Sequence, residues 1–175
     1  MVELDVLATA PPRERGVFCN RTLNMRAIRA IATSFSTKRS WMVSCNKRRE
    51  PAIQVWPVAA KIPDTAPLTA EGLRGKVVLV DIWTYTCINW LRTLPYVRAW
   101  ADKYKAQGLV VIGVHCPEFP FEHDLNNVRR EAKGMRVDYP IAIDNDFSIW
   151  RAFDNNYWPA LYLLDGDGKI RFHHF

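Results

Sequence analysis

Cys87 is the residue whose type and position most clearly offer chemistry. It follows a run of apolar residues at 76–83 by four positions and precedes a stretch with helical periodicity. A thiol at the start of a helix faces unpaired backbone N–H groups and the positive end of the helix dipole, and both favour the thiolate. The thiolate is the nucleophile of thiol–disulfide exchange. Position alone leaves a second interpretation open, that of a buried and chemically inert cysteine.

Alternating strands and helices are predicted around this cysteine. Two near-continuous apolar runs, 76–83 and 109–115, are typical of strands buried on both faces. The helix between them is predicted over 87–107, with Gly108 ending it and Pro95 kinking it. The other predicted elements are strands at 53–58 and 139–143, helices at 122–133 and 147–153, and a hairpin of 160–164 and 169–175 around a tight turn at 165–168. This order predicts an α/β fold with a mixed sheet and helices on both faces.

Composition limits the class of protein. The chain has 175 residues, of which 49% are hydrophobic and 12% aromatic, so we expect one globular domain with a sizeable core. No apolar run reaches the roughly 18–20 residues that a membrane helix needs. The whole net charge of +6 belongs to residues 1–50, which hold 10 Lys or Arg and 4 Asp or Glu, while residues 51–175 hold 14 of each. A neutral body argues against nucleic acid as a partner.

The basic segment 1–50 is predicted to be a poorly ordered leader that precedes the domain at 51–175. Apolar residues such as Ile28, Ile31 and Phe35 fall on one helical face within it, so a transit or membrane-surface segment is the alternative to an unstructured extension. A secretory signal peptide fits poorly because no uninterrupted apolar region is present. Cys19 and Cys45 lie in this leader, and we expect both to be free thiols.

The residues around Cys87 resemble the thioredoxin-like superfamily. The motif Asp81-Ile-Trp83-Thr-Tyr-Thr-Cys87 and the pair Trp158-Pro159 are similar to that family's buried Asp, its Trp, its nucleophilic Cys and its cis-proline. The segment 118–157 resembles the insertion of the TlpA/redoxin (AhpC/TSA-related) branch, and the chain is most similar to the thioredoxin-like domains of DipZ-type proteins. The resemblance covers about residues 68–175. It implies a three-layer sandwich with a mixed central sheet, with Trp83, Trp158 and Pro159 binding substrate.

The chain departs from that branch at position 90. Related domains carry C-x-x-C, whereas this chain has Cys87-Ile-Asn-Trp90, so the thiol that would resolve a mixed disulfide is absent locally. Trp90 is much larger than Cys and should either overpack the helix start or shield Cys87. In the family the buried Asp assists proton transfer at the second Cys, which puts the role of Asp81 in doubt. Cys116, at the end of the next strand, could resolve only if the two Cα atoms came within roughly 7 Å, which the fold does not guarantee.

Three further features complete the expected site. Glu118 occupies roughly the place of an active-site glutamate in TlpA-like proteins, and a solvated loop carboxylate is the alternative. No metal is expected, because His115, Cys116 and His123 lack paired ligand spacing, and no cofactor is expected.

The chain stops inside the predicted hairpin arm, where related domains continue into a final helix. We therefore expect exposed apolar surface and marginal stability.

Three functions remain open from the sequence. The first is thiol–disulfide exchange through Cys87 alone, with an external thiol resolving the mixed disulfide. The second is a one-Cys peroxidase, because Thr84-x-x-Cys87 matches half of a peroxiredoxin motif although Val80 replaces its proline. The third is a degenerate thioredoxin-fold binding module. Expected partners are protein or small-molecule thiols and disulfides, and the resemblance implies an extracytoplasmic, membrane-linked setting in bacteria, although no signal or anchor is visible.

Overall fold

The computed structural model describes residues 61–62 and 68–175, and its centre is a six-stranded mixed sheet. The strands are, in chain order, β1 (Lys61–Ile62), β2 (Val77–Trp83), β3 (Leu109–His115), β4 (Ile141–Ile143), β5 (Ala160–Leu164) and β6 (Ile170–His174). Their spatial order is β1-β4-β3-β2-β5-β6. Strands β2, β3 and β4 run parallel, and β1, β5 and β6 pair antiparallel to their neighbours. The α/β class and the mixed sheet predicted from the sequence are confirmed.

Helices cover both faces of this sheet. They are α1 (Ala70–Leu73), α2 (Ile88–Tyr104), α3 (Leu125–Gly134) and α4 (Ser148–Ala152), with short 3₁₀ turns at Lys105–Gln107 and Pro120–His123. One core cluster joins the sheet to α2 and α3, and a second cluster on the other face joins it to α1 and α4. The arrangement is a three-layer sandwich. Strand β2 has all seven residues buried, as a central parallel strand with covered faces must.

Most element boundaries differ from the sequence prediction by one or two residues, and the helices α2 and α3 and the strand β1 differ more. Helix α2 begins after Cys87 rather than at it, and its α-helical part ends at Tyr104 before a 3₁₀ turn. Gly108 ends that turn with a φ of 89°, a left-handed conformation that favours glycine. The predicted polar helix at 122–133 is two elements, because Asp124 caps a new helix by accepting the backbone N–H of Asn126 at 2.8 Å. Strand β1 was not predicted.

Other predictions fall outside the described part of the chain. The strand expected at 53–58 and the basic leader 1–50 lie there. In the described residues, no helix is long and apolar enough to cross a membrane. The hairpin predicted at the C-terminal end is present, with β5 and β6 joined by a turn in which Gly168 donates its N–H to the carbonyl of Asp165 at 2.9 Å.

Candidate functional site

Cys87 is the N-cap residue of α2. Its backbone is extended (φ −68°, ψ 109°), its N–H donates to the carbonyl of Thr84 at 3.2 Å, and its carbonyl accepts the N–H of Leu91 at 3.0 Å. The side chain makes no capping hydrogen bond, is half-buried against the core, and is a free thiol. The thiol therefore stands at the helix start, where the first backbone N–H groups have no partner within the helix itself.

Trp90 occupies the core one turn further along α2. Its side chain is fully buried, and its indole Nε1–H donates to Oδ2 of Asp81 at 3.0 Å. The hydroxyl of Tyr139 donates to the same oxygen, also at 3.0 Å, and Oδ1 has no hydrogen-bond partner within the described structure. Burial raises the pKa of Asp81 to about 6, against the opposing effect of these two hydrogen bonds. The buried Asp81 thus accepts a hydrogen bond from a tryptophan at the position where the resemblance implied a thiol.

The ring of Trp83 packs against the ring of Trp90. The two indoles stack with ring centroids 4.1 Å apart and planes inclined by 17°. Trp83 is itself fully buried, although the resemblance placed it in a substrate-binding surface. Gly113 makes room for it on the neighbouring strand, because a Cβ there would lie 2.8 Å from Trp83 Nε1. The size of Trp90 is accommodated by this stack inside the core.

Glu122 is hydrogen-bonded to the Cys87 loop, which we define as residues 84–87 between β2 and α2. Its side chain is buried and accepts the hydroxyl of Thr86 at 2.6 Å and the backbone N–H groups of Glu118 and Phe119 at 2.6 and 2.9 Å. Burial raises its pKa, but hydrogen bonds from Thr84, Thr86 and those two backbone groups lower it by more. Glu118, the residue singled out from the sequence, is exposed and contributes only its backbone N–H.

His115 lies behind this loop at the end of β3. Its ring is buried, with Nε2 3.5 Å from the hydroxyl of Thr84 and Nδ1 unpartnered by any described residue. Burial lowers its pKa to about 4, so the imidazole is neutral at neutral pH. Tyr85 stacks over it with ring centroids 5.6 Å apart. No group of three or more His, Cys, Asp or Glu in residues 68–175 could hold a metal ion.

Cys116 is on the opposite face of the sheet from Cys87. It is fully buried in the second core cluster, and its thiol donates to Oδ2 of Asp144 at 3.2 Å. Burial raises the pKa of Cys116 far above its usual range, and the Asp144 carboxylate raises it further. Both Cys87 and Cys116 are free, so no disulfide joins them.

Asp144 explains why this second thiol is fixed in place. It caps α4 by accepting the backbone N–H groups of Ile149 and Trp150 at 2.9 and 2.8 Å and the hydroxyl of Ser148 at 3.1 Å. The sequence gives no sign of the thiol partner of Asp144, which is 28 residues away in the chain.

Trp158 and Pro159 are joined by a cis peptide bond and are both half-buried. The Trp158 indole Nε1–H donates to the carbonyl of Cys116 at 3.1 Å, and its ring lies against Trp150 with centroids 4.3 Å apart. The pair therefore stands at the end of the sheet where β5 begins beside β2. Its part in substrate binding stays a prediction.

Two residues of the site were missed from the sequence. Glu122 was predicted only as part of a polar helix, and Tyr139 only as the start of a strand. A signal for Glu122 does exist, because it directly follows the apolar Phe119-Pro120-Phe121 and lies two residues before Asp124, which caps α3. Tyr139 carries no comparable signal, since its bond to Asp81 spans 58 residues.

Known proteins share this fold and sequence. The model of the AhpC/TSA family matches residues 57–173. Protein DipZ of Mycobacterium tuberculosis is 48% identical over 109 residues, which are 62% of this chain and 16% of that protein. Thiol-disulfide oxidoreductase YkuV of Bacillus subtilis is 34% identical over 105 residues, which are 59% of this chain and 70% of that protein.

A solved structure agrees with these sequence relatives. The solution structure of a thioredoxin-like protein in the oxidized form has a TM-score of 0.64 and 30% sequence identity, covering 72% of this chain and 84% of that one. The family model, the relatives and the fold therefore agree. The chain belongs to the AhpC/TSA family of thioredoxin-like redoxins, and one of the relatives that it matches, YkuV, is by name a thiol–disulfide oxidoreductase.

Proposed function

We propose that this chain performs thiol–disulfide exchange through Cys87 alone. The observation that carries the proposal is the pairing of a half-exposed free thiol at the start of α2 with a buried tryptophan three residues later. Trp90 is hydrogen-bonded to Asp81 inside the core, so within residues 68–175 the site has one nucleophile and no local resolving thiol. Cys116, buried on the other face of the sheet, offers no substitute.

The proposed reaction has two balanced steps. The Cys87 thiolate attacks one sulfur of a substrate disulfide, forming a mixed disulfide with Cys87 and releasing the other sulfur as a thiolate. An external thiolate then attacks the substrate sulfur of the mixed disulfide, which returns Cys87 as a thiolate and leaves a new disulfide between the substrate and the external thiol. Substrates are proteins or small molecules that carry a thiol or disulfide. No metal or cofactor takes part in either step.

The test uses the chain with Cys19→Ser and Cys45→Ser, which removes the expected free thiols of segment 1–50, and replaces one further cysteine at a time in an exchange assay with external thiol present. Cys87→Ser should abolish exchange because it removes the nucleophile, whereas Cys116→Ser should leave it near the unmodified level because that thiol is buried. Circular dichroism checks that both variants fold. Full activity in Cys87→Ser would refute the proposal.

A non-catalytic binding module is the second candidate, and one observation favours it. Trp90 is fully buried and hydrogen-bonded where the dithiol chemistry of related domains would take place. The same assay separates the two functions, because a binding module shows no turnover in any variant. Peroxide consumption by the unmodified protein would instead support the one-Cys peroxidase alternative.

A further inference from the structure

Among the described residues, acidic side chains outnumber basic ones at the end of the sheet that carries Cys87. We define the carboxyl edge as the segments 84–91, 116–128 and 144–160, which follow β2, β3 and β4 and lead into β5. They contain Asp or Glu at six positions, 118, 122, 124, 144, 146 and 154, and one basic residue besides histidine, Arg151. Arg92, Arg129 and Arg130 come further along the helices. The described carboxyl edge is therefore acidic, although residues 51–175 are neutral in total.

Exposed aromatic rings stand on the same edge. Phe119 and Phe121 are 44% and 53% exposed, and their rings stack with centroids 5.6 Å apart and planes inclined by 6°. The half-buried ring of Tyr85 is next to Phe121, with centroids 6.3 Å apart. We call Tyr85, Phe119 and Phe121 the aromatic platform. A monomeric protein gains nothing in its own stability from leaving two stacked phenylalanines in water, so their exposure indicates a binding surface.

Hydrogen bonds tie the aromatic platform to the Cys87 loop. The hydroxyl of Tyr85 donates to the carbonyl of Phe121 at 3.2 Å. Buried Glu122 joins the platform to the loop, because it accepts hydrogen bonds from the N–H of Phe119 and from the hydroxyl of Thr86, the residue directly before Cys87. The rings are therefore fixed relative to the thiol. Since Tyr85 precedes Cys87 by two residues and Glu122 joins Thr86 to Phe119, we expect the residues beside a substrate cysteine bonded to Cys87 to meet the platform.

We propose that the aromatic platform binds a positively charged side chain, Lys or Arg, that lies close to the reactive cysteine of a polypeptide substrate. Aromatic faces attract cations, most strongly Arg, and an acidic surround adds a long-range attraction. The charges around Tyr85 support this assignment. Burial first, and then the carboxylates of Glu122, Glu131 and Asp124, raise the pKa of Tyr85 by more than the nearby Arg130 lowers it. The inference rests on the proposed function, since it names the substrates that Cys87 would prefer.

The experiment uses the full chain and three short peptide disulfides, identical except for Arg, Gln or Glu beside the cysteine. Mixed-disulfide formation on Cys87 is followed by peptide mass spectrometry, and each rate is divided by that of the same peptide with N-acetylcysteine amide. The Arg peptide should react about fivefold faster than the Gln peptide, and the Glu peptide more slowly than both. High salt should reduce these differences, since it screens exposed charges.

A paired substitution tests the platform itself. Phe119→Leu with Phe121→Leu keeps the surface apolar but removes the ring faces. The rate preference for the Arg peptide should then fall to the contribution of the surrounding carboxylates, which high salt screens. Tyr96→Leu is the matched control, because Tyr96 is an exposed aromatic of α2 that lies outside the platform, and it should keep the full preference. The salt dependence of the unmodified protein gives a second readout if the double variant folds poorly.

Two results would overturn the inference. Equal normalised rates for the three peptides would show that the edge does not select charge, and a salt-insensitive Arg preference that survives the double substitution would show that the platform does not bind the cation. In both cases Cys87 still reacts, so the proposed function stands. Failure of every disulfide to react with Cys87 would refute the proposed function and this inference with it.

Discussion

The two described cysteines lie beyond the ends of neighbouring parallel strands, yet they have opposite environments. Cys87 follows β2 by four residues and caps a long helix with its side chain half-exposed. Cys116 follows β3 directly, is fully buried, and donates its thiol proton to Asp144. A loop of three residues is enough to bring one thiol to a helix start, while its absence leaves the other inside the core. The comparison teaches that the position relative to the sheet, and not the residue type, decides which thiol is available for chemistry.

Alkylation rates give the largest expected contrast between these cysteines. Iodoacetamide should label Cys87 in the folded protein about a thousandfold faster than Cys116, because Cys116 has no exposed surface and reacts only after the core opens. Burial also raises the pKa of Cys116, which lowers its thiolate fraction. Peptide mass spectrometry distinguishes the four cysteines of the chain. In denaturant the two rates should converge, and comparable rates in the folded state would contradict the account.

Removing the Trp90 ring tests how much the buried stack of Trp83 and Trp90, next to the helix start at Cys87, contributes to stability. Trp90→Ala should lower the free energy of unfolding by about 3–5 kcal/mol, because it removes a fully buried ring that stacks on Trp83. Trp90→Phe should lower it by only about 1–3 kcal/mol, since stacking is kept and the hydrogen bond to Asp81 is lost. Urea denaturation measures both. Equal stability of Trp90→Ala and the unmodified protein would show that the ring is not packed as described.

Asp81 should make stability fall as pH rises. Its folded-state pKa of about 6 lies above the ordinary carboxyl value of 3.8, so between these values the folded state holds a proton that the unfolded state has released. The ionised carboxylate therefore costs about 3 kcal/mol at neutral pH, and this cost disappears as pH falls below about 4. Asp81→Asn, which retains an acceptor oxygen for Trp90, should be more stable at pH 7 by that order. A stability difference independent of pH between 4 and 7 would contradict the assignment.

Asp144→Asn changes the hydrogen-bond partner of Cys116 and should have the smallest effect on stability. The free energy of unfolding should fall by about 1–2 kcal/mol, because the neutral amide caps α4 less strongly than the carboxylate. Cys116 should stay resistant to alkylation, since burial is the first cause of its raised pKa and the Asp144 charge only the second. Rapid labelling of Cys116 in this variant would show instead that the carboxylate protects the thiol.

The fold could be predicted from the sequence because local signals agreed with the final packing. The apolar run that became β2, the periodicity of α2 and the turn before β6 each carry information within a few residues. Cys87 was found in the same way, since its place between strand and helix is a local property. The same signals placed the start of α2 one residue early, because a capping residue shares the helix pattern.

The details of the site could not be predicted because they depend on distant pairs. Asp81 is hydrogen-bonded to Trp90, nine residues away in the chain, and to Tyr139, 58 residues away. Cys116 is hydrogen-bonded to Asp144, 28 residues away. Glu118 and Glu122 illustrate the same limit within four residues. Which carboxylate turns inward depends on the 3₁₀ turn at Pro120–His123, and sequence periodicity gives no register for such a loop.

The most direct test of single-thiol exchange is the fate of the mixed disulfide on Cys87. The full chain, with Cys19→Ser and Cys45→Ser to remove the thiols of segment 1–50, is treated with a peptide disulfide and analysed by mass spectrometry. We expect one adduct on Cys87 that persists until an external thiol is added and is then released completely. Trp90→Cys should release its adduct without external thiol, because a resolving thiol is restored. Spontaneous release from the chain that retains Trp90, or failure of Cys87 to form the adduct, would contradict the account.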